Sequence, residues 1–428
     1  MFWEEKIETL PLDRLISLQE ERLRNTILRA CESPFYRDRL AKSDVSITRN
    51  ISMENLCRLP FTTKDDLRQN WPYGFLATTK DSIVRMHSSS GTTGRATVVF
   101  HTLNDIKNWT SLLARSLYGA GLRRSDVFQN MMTYGLFTGG LGFHYGAEEV
   151  GALVIPSGAG NSKRQIQLMR DFSTTAIHII PSYAMHLATV FDELGIDPKR
   201  ELDLRFAFVG AEPHSEELRL KIEDFYGCQA FNSYGLSEMN GPGVAFECPF
   251  QNGMHIWEDH FIAEIVDPQT LDPLPDGEYG ELVMTTLMRE GMPIIRYRTR
   301  DLTRVIPGIC PCGRSHRRIE RIKGRSDDMI IIKGVNIFPV QIEKCLMGIR
   351  GVGRNFLITL ITKGYIDEMV VKVEYENGYD ASLDTLKKAI LEELRSELLI
   401  TPKIELVPIG TLPTYEGKAV RVNDERNK

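Results

Sequence analysis

The run Ser88-Ser89-Ser90-Gly91-Thr92-Thr93-Gly94 places five hydroxyls and two glycines in seven consecutive residues. Glycine lets backbone N–H groups come close to an anion, and hydroxyls can donate to it, so the chemistry suggested is phosphate binding. The run does not align with GxxxxGK[ST], which disfavours a P-loop nucleoside triphosphatase. A second group of residues suggests a metal. Cys310 and Cys312 flank Pro311 ahead of Gly313, with Cys248 and His255 upstream. Three thiols and an imidazole make the ligand set of a structural zinc site, with His260 and His316 competing for the imidazole position. The competing reading is four unrelated side chains, two of them reduced surface thiols. Cys31, Cys57, Cys228 and Cys345 read as ordinary buried residues.

Such groups need a frame. The opening PLDRLISLQEERLRNTILRACES spaces its apolar residues at helical intervals and predicts an amphipathic helix. From about residue 83 to 300, apolar runs such as ALVIPS (152–157), TAIHIIPS (175–182) and LRFAFVGAE (204–212) alternate with helical patterns in NSKRQIQLMRDF and PHSEELRLKIEDFYG. The alternation predicts an α/β fold of βαβ units, with mainly parallel sheets flanked by helices. Ligands then lie at the carboxyl ends of strands, where GAEP (210–213) and NSYGLSE (232–238) are expected, each just after an apolar run. Towards the end, NFLITLIT, MVVKVEYE, the helix SLDTLKKAILEELRSELL and the strand KIELVPIG compose a small α+β module. The expected domains are 1–326 and 327–428, with a hinge near Asp327.

The 428 residues are 42% hydrophobic and 25% charged, ordinary values for a chain long enough to hold two domains. A formal net charge of -5 argues against a general nucleic-acid or membrane-surface binder. No signal-like or bilayer-length apolar run is seen, and the seven cysteines suit a reducing compartment, so a cytoplasmic protein is expected.

Taken in order, the hydroxyl-rich run, GAEP, NSYGLSE, IRYRTRDLTRV, GRSDDMIIIKGVNIFPVQIE and GKAVRV resemble the motifs of adenylate-forming enzymes, the acyl-CoA synthetase superfamily. Within it LPFTTKDDLR (59–68), YGLFTGGLGFHYGAEEVGALVIP (134–156) and SEMNGPGVAFEC are similar to phenylacetate-CoA ligases. The resemblance covers nearly the whole chain. It implies a carboxylate attacking the α-phosphate of ATP to give an acyl-adenylate and pyrophosphate, after which the thiol of coenzyme A displaces AMP. An anionic nucleophile meeting a polyanion needs positioning and charge neutralisation above all.

By this resemblance Ser88 through Gly94 wrap the β- and γ-phosphates, while Arg95 stands where the family often has Lys and changes the donor geometry. Glu238 would help bind Mg²⁺, a hard cation suited to a carboxylate. Gly210, Ala211, Glu212 and Pro213 line the base pocket, with Asn232, Ser233, Gly235 and Ser237 in the same nucleotide-binding set. Tyr234 stacks on adenine, Asp301 accepts from the ribose hydroxyls, and Arg325 comes near the same sugar. Lys418 reaches in only for adenylation, where its charge holds the carboxylate and an α-phosphate oxygen together. The small domain must then swing about Asp327 for coenzyme A to enter, bringing Lys333, Gly334 and Val335 to the thioester-forming side. Tyr134, Phe137, Gly139, Gly140, His144 and Tyr145 fall in the acyl-pocket segment, where an aromatic acid suits the lining. Core packing is the plainer reading for most of these six. Lys64 matches a family lysine near the entrance, but a Lys at a helix N-terminus needs no such role. A homodimer is common among such enzymes. Two other functions stay open: an adenylate-forming enzyme that loads a carrier protein or other acceptor, and a nucleotide-binding regulator without catalysis.

Overall fold

The computed structural model describes residues 1–42, 51–88, 96–332, 335–363, 366–379, 382–398, 400–415 and 418–426. The chain divides into two compact units, Met1–Gly158 with Phe231–Arg321 and Ala159–Ala230 with Ile322–Lys428.

In the first unit the amphipathic opening becomes α1 (Leu12–Ala30), which buries Leu15, Leu23, Ile27 and Ala30 along one side. The strands flanking the hydroxyl-rich run, β1 (Ile83–Ser88) and β2 (Val98–Thr102), pair antiparallel with Ser88 opposite Val98. Helix α2 (Leu103–Ala120) starts at a capping box in which Thr102 and Asp105 exchange hydrogen bonds. Strand β3 (Val127–Asn130), helix α3 (Thr138–Val150) and strand β4 (Leu153–Ile155) form a βαβ unit with parallel pairing, Phe128 opposite Val154.

The second unit contributes α4 (Ser162–Asp171), β5 (Ala176–Ile179), α5 (Pro181–Leu194), β6 (Phe206–Gly210) and α6 (Glu216–Tyr226). Strands β5 and β6 pair parallel and are buried at every residue, as an apolar run covered on both faces must be.

The pattern changes at β7 (Gln229–Leu236), which pairs antiparallel with β8 (Gly241–Glu247). Next come β9 (Met254–Ile256) and the antiparallel set β10 (Phe261–Val266), β11 (Gly280–Thr286) and β12 (Tyr297–Thr303). Two short strands, β13 (Val305–Ile306) and β14 (Arg318–Ile319), complete an antiparallel run β13-β14-β9-β8-β7. The α/β class holds, with parallel pairs where helices connect the strands. From residue 229 to 319 connections without a long helix join the strands and the pairing turns antiparallel. One local expectation is corrected: the residues of NSYGL lie within β7 rather than after it. Asn232 and Ser233 are buried there, and Asn232 N–H donates to Glu247 Oε2 at 2.7 Å, so polar residues sit in a strand whose hydrogen bonds are met.

The C-terminal stretch matches the small α+β module expected. After β15 (Gly324–Arg325) come the hairpin β16 (Ile330–Ile332) and β17 (Val335–Ile337), then α7 (Pro339–Met347). Strands β18 (Val352–Lys363) and β19 (Ile366–Tyr375) pair antiparallel, and helix α8 (Leu383–Leu398) buries Leu386, Ile390, Leu394 and Leu398 at four-residue spacing. Strands β20 (Lys403–Pro408) and β21 (Val422–Asp424) add on either side, each parallel to its neighbour, in the order β20-β19-β18-β21. Among the described residues no helix is long and apolar enough to cross a membrane.

Candidate active site and metal cluster

In the first unit β7 ends in a 3-10 turn, Ser237–Met239, that holds Glu238 buried. Thr97 Oγ1 donates to Glu238 Oε1 at 3.4 Å, and Ser237 shares a hydrogen bond with Thr138 Oγ1 at 3.3 Å. Asn240 follows with a φ of 95°, a left-handed conformation that a non-glycine residue keeps only when its surroundings enforce it. The buried Arg289 guanidinium donates to Asn240 Oδ1 and to Phe100 O. Gly235 is required by close approach: a Cβ there would lie 2.1 Å from Gly241 O on the facing strand.

Tyr234 OH donates to Asp301 Oδ2 at 2.6 Å, joining the residues expected at adenine and ribose. Asp301 lies on β12, where its N–H donates to Thr299 Oγ1 at 3.0 Å. Its neighbour Arg300 has a φ of 68° and reaches Glu281 at 3.6 Å, while Arg298 forks onto the same carboxylate at 3.0 and 2.7 Å.

The acyl-pocket candidates gather around Asn130, the last residue of β3. Its Nδ2 donates to Tyr134 OH at 2.9 Å and to Gly140 O at 2.7 Å. Tyr134 OH also meets His144 Nδ1 at 3.2 Å, and His144 Nε2 lies 3.0 Å from Glu148. Burial pushes the Tyr134 phenol up to about 12, so it acts as a neutral hydroxyl. Tyr145 sits one step aside, its OH accepting from Arg85 at 2.9 Å. Phe137 caps α3, and a Cβ on Gly139 would strike the Phe137 ring at 2.7 Å.

The four candidate metal ligands of this unit lie together. One ligand atom from each of Cys248, His255, Cys310 and Cys312 falls within 4.8 Å of the others, all four residues buried. Strand pairing explains the meeting: β9 carries His255 between β8, which leads into Cys248, and β14, which follows the Cys310–Cys312 turn. Cys248 Sγ is 3.6 Å from Cys310 Sγ and Cys312 Sγ is 3.3 Å from His255 Nε2, separations near the roughly 3.8 Å edge of a tetrahedron built on zinc–sulfur bonds of about 2.3 Å. His255 Nδ1–H donates to His316 O at 2.9 Å, which turns Nε2 to the thiols. The rival imidazoles are engaged elsewhere. His316 receives Glu258 N–H and faces Ile7 O, and His260 contacts Asp259. Hydrogen bonding from Cys248, with His255 beside it, draws the Cys312 thiol well below its ordinary value, and the burial of His255 is outweighed by Cys310 and Cys312, which raise it. Cys310 and Cys312 are poised as thiolates, the form that binds zinc, while Cys248 is pushed up as the donor to Cys312 and by its burial. Of the other cysteines Cys228 and Cys345 are buried as expected, whereas Cys31 is half-buried and Cys57 exposed.

In the second unit β6 ends at Gly210, and Ala211 follows in the left-handed region with a φ of 71°. Glu212 is half-buried; its Oε1 accepts from Ser182 N–H at 2.7 Å and its Oε2 from Ala419 N–H at 3.2 Å, while Pro213 is exposed. Lys418, beside Ala419, is exposed. Arg325 forks onto Asp327 at 2.9 and 3.0 Å. The next residue, Asp328, is raised by burial and by Asp327, against Arg325 and Lys418. Val335 opens β17. Ser89 to Arg95, with Lys333 and Gly334, lie outside the described residues; Ser88 closes β1 and its N–H donates to Leu136 O at 2.9 Å. Lys64 begins a short helix, Lys64–Gln69, capped by Thr63.

Residues 29–288 match the family model of the AMP-binding enzymes, and residues 334–426 match the AMP-binding enzyme C-terminal domain. The phenylacetate-coenzyme A ligase of Pseudomonas putida is 45% identical over 426 residues, covering 98% of this chain and 96% of its own length. The chain belongs to the phenylacetate-coenzyme A ligase family. Other members of this family, from Thermus thermophilus and Escherichia coli, are 42% and 44% identical across 98% of the chain. A crystal structure of a 2-hydroxyisobutyryl-CoA ligase in the postadenylation state, with its acyl-AMP, superposes at a TM-score of 0.93 with 29% identity, covering 99% of this chain and 92% of that one.

Several residues with contacts to the candidate groups had not been singled out from sequence. Asn130, Thr97 and Ser182 each contact a group that had. Asn130 carried a usable signal, a polar residue closing the apolar strand VFQN; Ser182 carried none, since its main chain makes the contact.

Proposed function

We propose that this protein activates phenylacetate as its acyl-adenylate and transfers the acyl group to coenzyme A, releasing AMP and pyrophosphate. The observation that carries the reading is near-full-length identity of 45% to a phenylacetate-coenzyme A ligase. An AMP-forming acid–thiol ligase uses ATP and coenzyme A, and the chain supplies groups for both half-reactions.

In the first half-reaction, Ser88 to Gly94 wrap the β- and γ-phosphates, Glu238 holds Mg²⁺, and Asp301 with Tyr234 receives ribose and adenine. The nucleotide set continues through Gly210, Ala211, Pro213, Asn232, Ser233, Gly235, Ser237 and Arg325. Mg²⁺ supplies charge neutralisation between phosphate oxygens. Lys418 holds the substrate carboxylate against the α-phosphate. The aryl group lies among Tyr134, Phe137, Gly139, Gly140, His144 and Tyr145. For the second half-reaction residues 327–428 turn about Asp327, and Lys333, Gly334 and Val335 face the pantetheine. Cys248, His255, Cys310 and Cys312 hold a zinc ion that ties loops and takes no part in the chemistry. The protein works in the cytoplasm as a homodimer; a sedimentation mass of one chain would remove the dimer.

The test is turnover with ATP, Mg²⁺ and coenzyme A over a panel of aromatic and short aliphatic acids, scoring AMP and acyl-CoA. Phenylacetate should lead. A hydroxylated aryl acid or benzoate turning over faster would move the substrate, and AMP without acyl-CoA would move the acceptor.

A further inference from the structure

Sequence similarity places Glu212 among the residues around the base, yet its carboxylate engages main chain. Oε1 accepts from Ser182 N–H in the first turn of α5 at 2.7 Å, and Oε2 accepts from Ala419 N–H at 3.2 Å. The first bond seats the carboxylate at the positive end of a helix of 14 residues, where an anion is favoured. The second fixes the residue covalently next to Lys418. Consecutive Cα atoms lie about 3.8 Å apart, so a bond at Ala419 N–H sets the start of the Lys418 side chain.

The surrounding backbone is arranged around this contact. Ala211 holds a φ of 71°, a conformation that costs a residue with a Cβ on the order of 1 kcal/mol, and this turn leads directly into Glu212. On the far side of Lys418 the chain is pinned. Arg421 O accepts from Ile358 N–H at 2.8 Å, and the Arg421 guanidinium donates to Asn355 Oδ1 and to Phe356 O. On the near side Leu412 N–H donates to Glu374 Oε1 at 2.9 Å and Pro413 O accepts from Asn355 at 3.1 Å. The bond to Glu212 falls between these anchors, at the residue next to Lys418.

We propose that Glu212 is a positioning residue for the first half-reaction, registering Lys418 through the Ala419 N–H while it is itself held by α5. The inference rests on the adenylation role given to Lys418 above. A residue that acts by fixing Lys418 matters only while Lys418 acts, whereas one that contacts the base matters wherever the nucleotide is held.

The experiment compares Glu212→Gln, Glu212→Ala, Lys418→Ala and the Glu212→Ala/Lys418→Ala double variant. Each is assayed for pyrophosphate release and, separately, for thioester formation from supplied acyl-adenylate. Glu212→Ala should lower the rate of pyrophosphate release at saturating ATP about tenfold, the effect of losing one hydrogen bond to a charged acceptor. Glu212→Gln, isosteric and left with one acceptor oxygen, should fall between it and the parent. Thioester formation should change less than about twofold, and Glu212→Ala should cost nothing further once Lys418 is Ala. Equal losses in both half-reactions, additive losses in the double variant, or a rise confined to the ATP KM would each overturn the proposal. Unimpaired pyrophosphate release in Lys418→Ala would instead overturn the role of Lys418 itself. The isosteric Gln variant keeps the test valid if Ala lowers the yield of folded protein.

Discussion

The cysteine cluster and the segment around Lys418 stand at opposite ends of a scale of restraint. His255 and the three cysteines are 1–3% exposed, with His255 on a strand paired on both sides. The chain just past Cys312 is fastened again, since Arg314 meets Glu8 at 2.7 Å with both side chains at 1% exposure or less. Lys418 is exposed, and its segment is held by backbone bonds at Ala419 and Arg421. A group needed in one half-reaction and not the next has to be releasable, and segments with few buried contacts open at low cost. A group that ties loops has no such need. In the proposed reaction the contrast separates a residue that acts by moving from residues that act by staying.

The largest expected effect breaks the comparison on the mobile side. Lys418→Ala should slow acyl-adenylate formation on the order of 10²–10³-fold, the scale of removing one donor from a developing negative charge. Thioester formation from supplied acyl-adenylate should stay near the parent rate. Pyrophosphate release and acyl-CoA formation measured separately decide it, and equal loss in both means Lys418 does not act in adenylation alone.

The fixed side should show the reverse. Replacing Cys312 by Ala should remove bound zinc and lower stability by on the order of 3 kcal/mol, as losses of a structural metal do. Adenylation by the protein that remains folded at 25 °C should hardly change. Metal analysis of protein purified without added zinc, together with its thermal midpoint, checks both statements. A parent chain that carries no zinc, with freely titratable thiols, would end the metal reading.

Between these lies the Tyr234–Asp301 hydrogen bond of the proposed nucleotide site, both residues buried yet 8–9% exposed. Tyr234→Phe keeps the ring and removes the 2.6 Å donor to Asp301, so it should raise the KM for ATP roughly five- to tenfold with little change in kcat. A change in kcat alone would place this pair in the chemical step.

The same contrast governs what could be read from sequence. Helix α1, strands β5 and β6 and the C-terminal module were visible because burial imposes a period on apolar residues. The antiparallel set β10–β12 was not, since pairing direction depends on connections that an apolar run does not specify. Cys248, His255, Cys310 and Cys312 were picked as candidates by residue type, but His260 and His316 were equally good until hydrogen bonding occupied their ring nitrogens. The tie between Glu212 and Ala419 was invisible, because a backbone N–H has no signature in the sequence.

The last effect, on stability rather than turnover, concerns a second carboxylate that accepts from main chain. Glu343 on α7 accepts from Ser215 N–H at 2.8 Å, at the N-terminus of α6, and is 5% exposed. Burial pushes it from an ordinary 4.5 to about 7; Arg421 and the Ser215 bond oppose the shift, and Glu212 adds to it. Between those two values the folded chain keeps a proton that the unfolded chain has released, so stability falls as pH rises from about 4.5 to about 7. Below that window both states are protonated, above it both are ionised, and the loss is constant. Glu343→Gln removes the titration while keeping an oxygen for Ser215. Relative to this variant, the parent should lose on the order of 2 kcal/mol between pH 5 and pH 8. Denaturant midpoints of both proteins at the two pH values measure the difference. A gap that does not change with pH would mean that Glu343 stays ionised, with the helix N-terminus and Arg421 outweighing its burial.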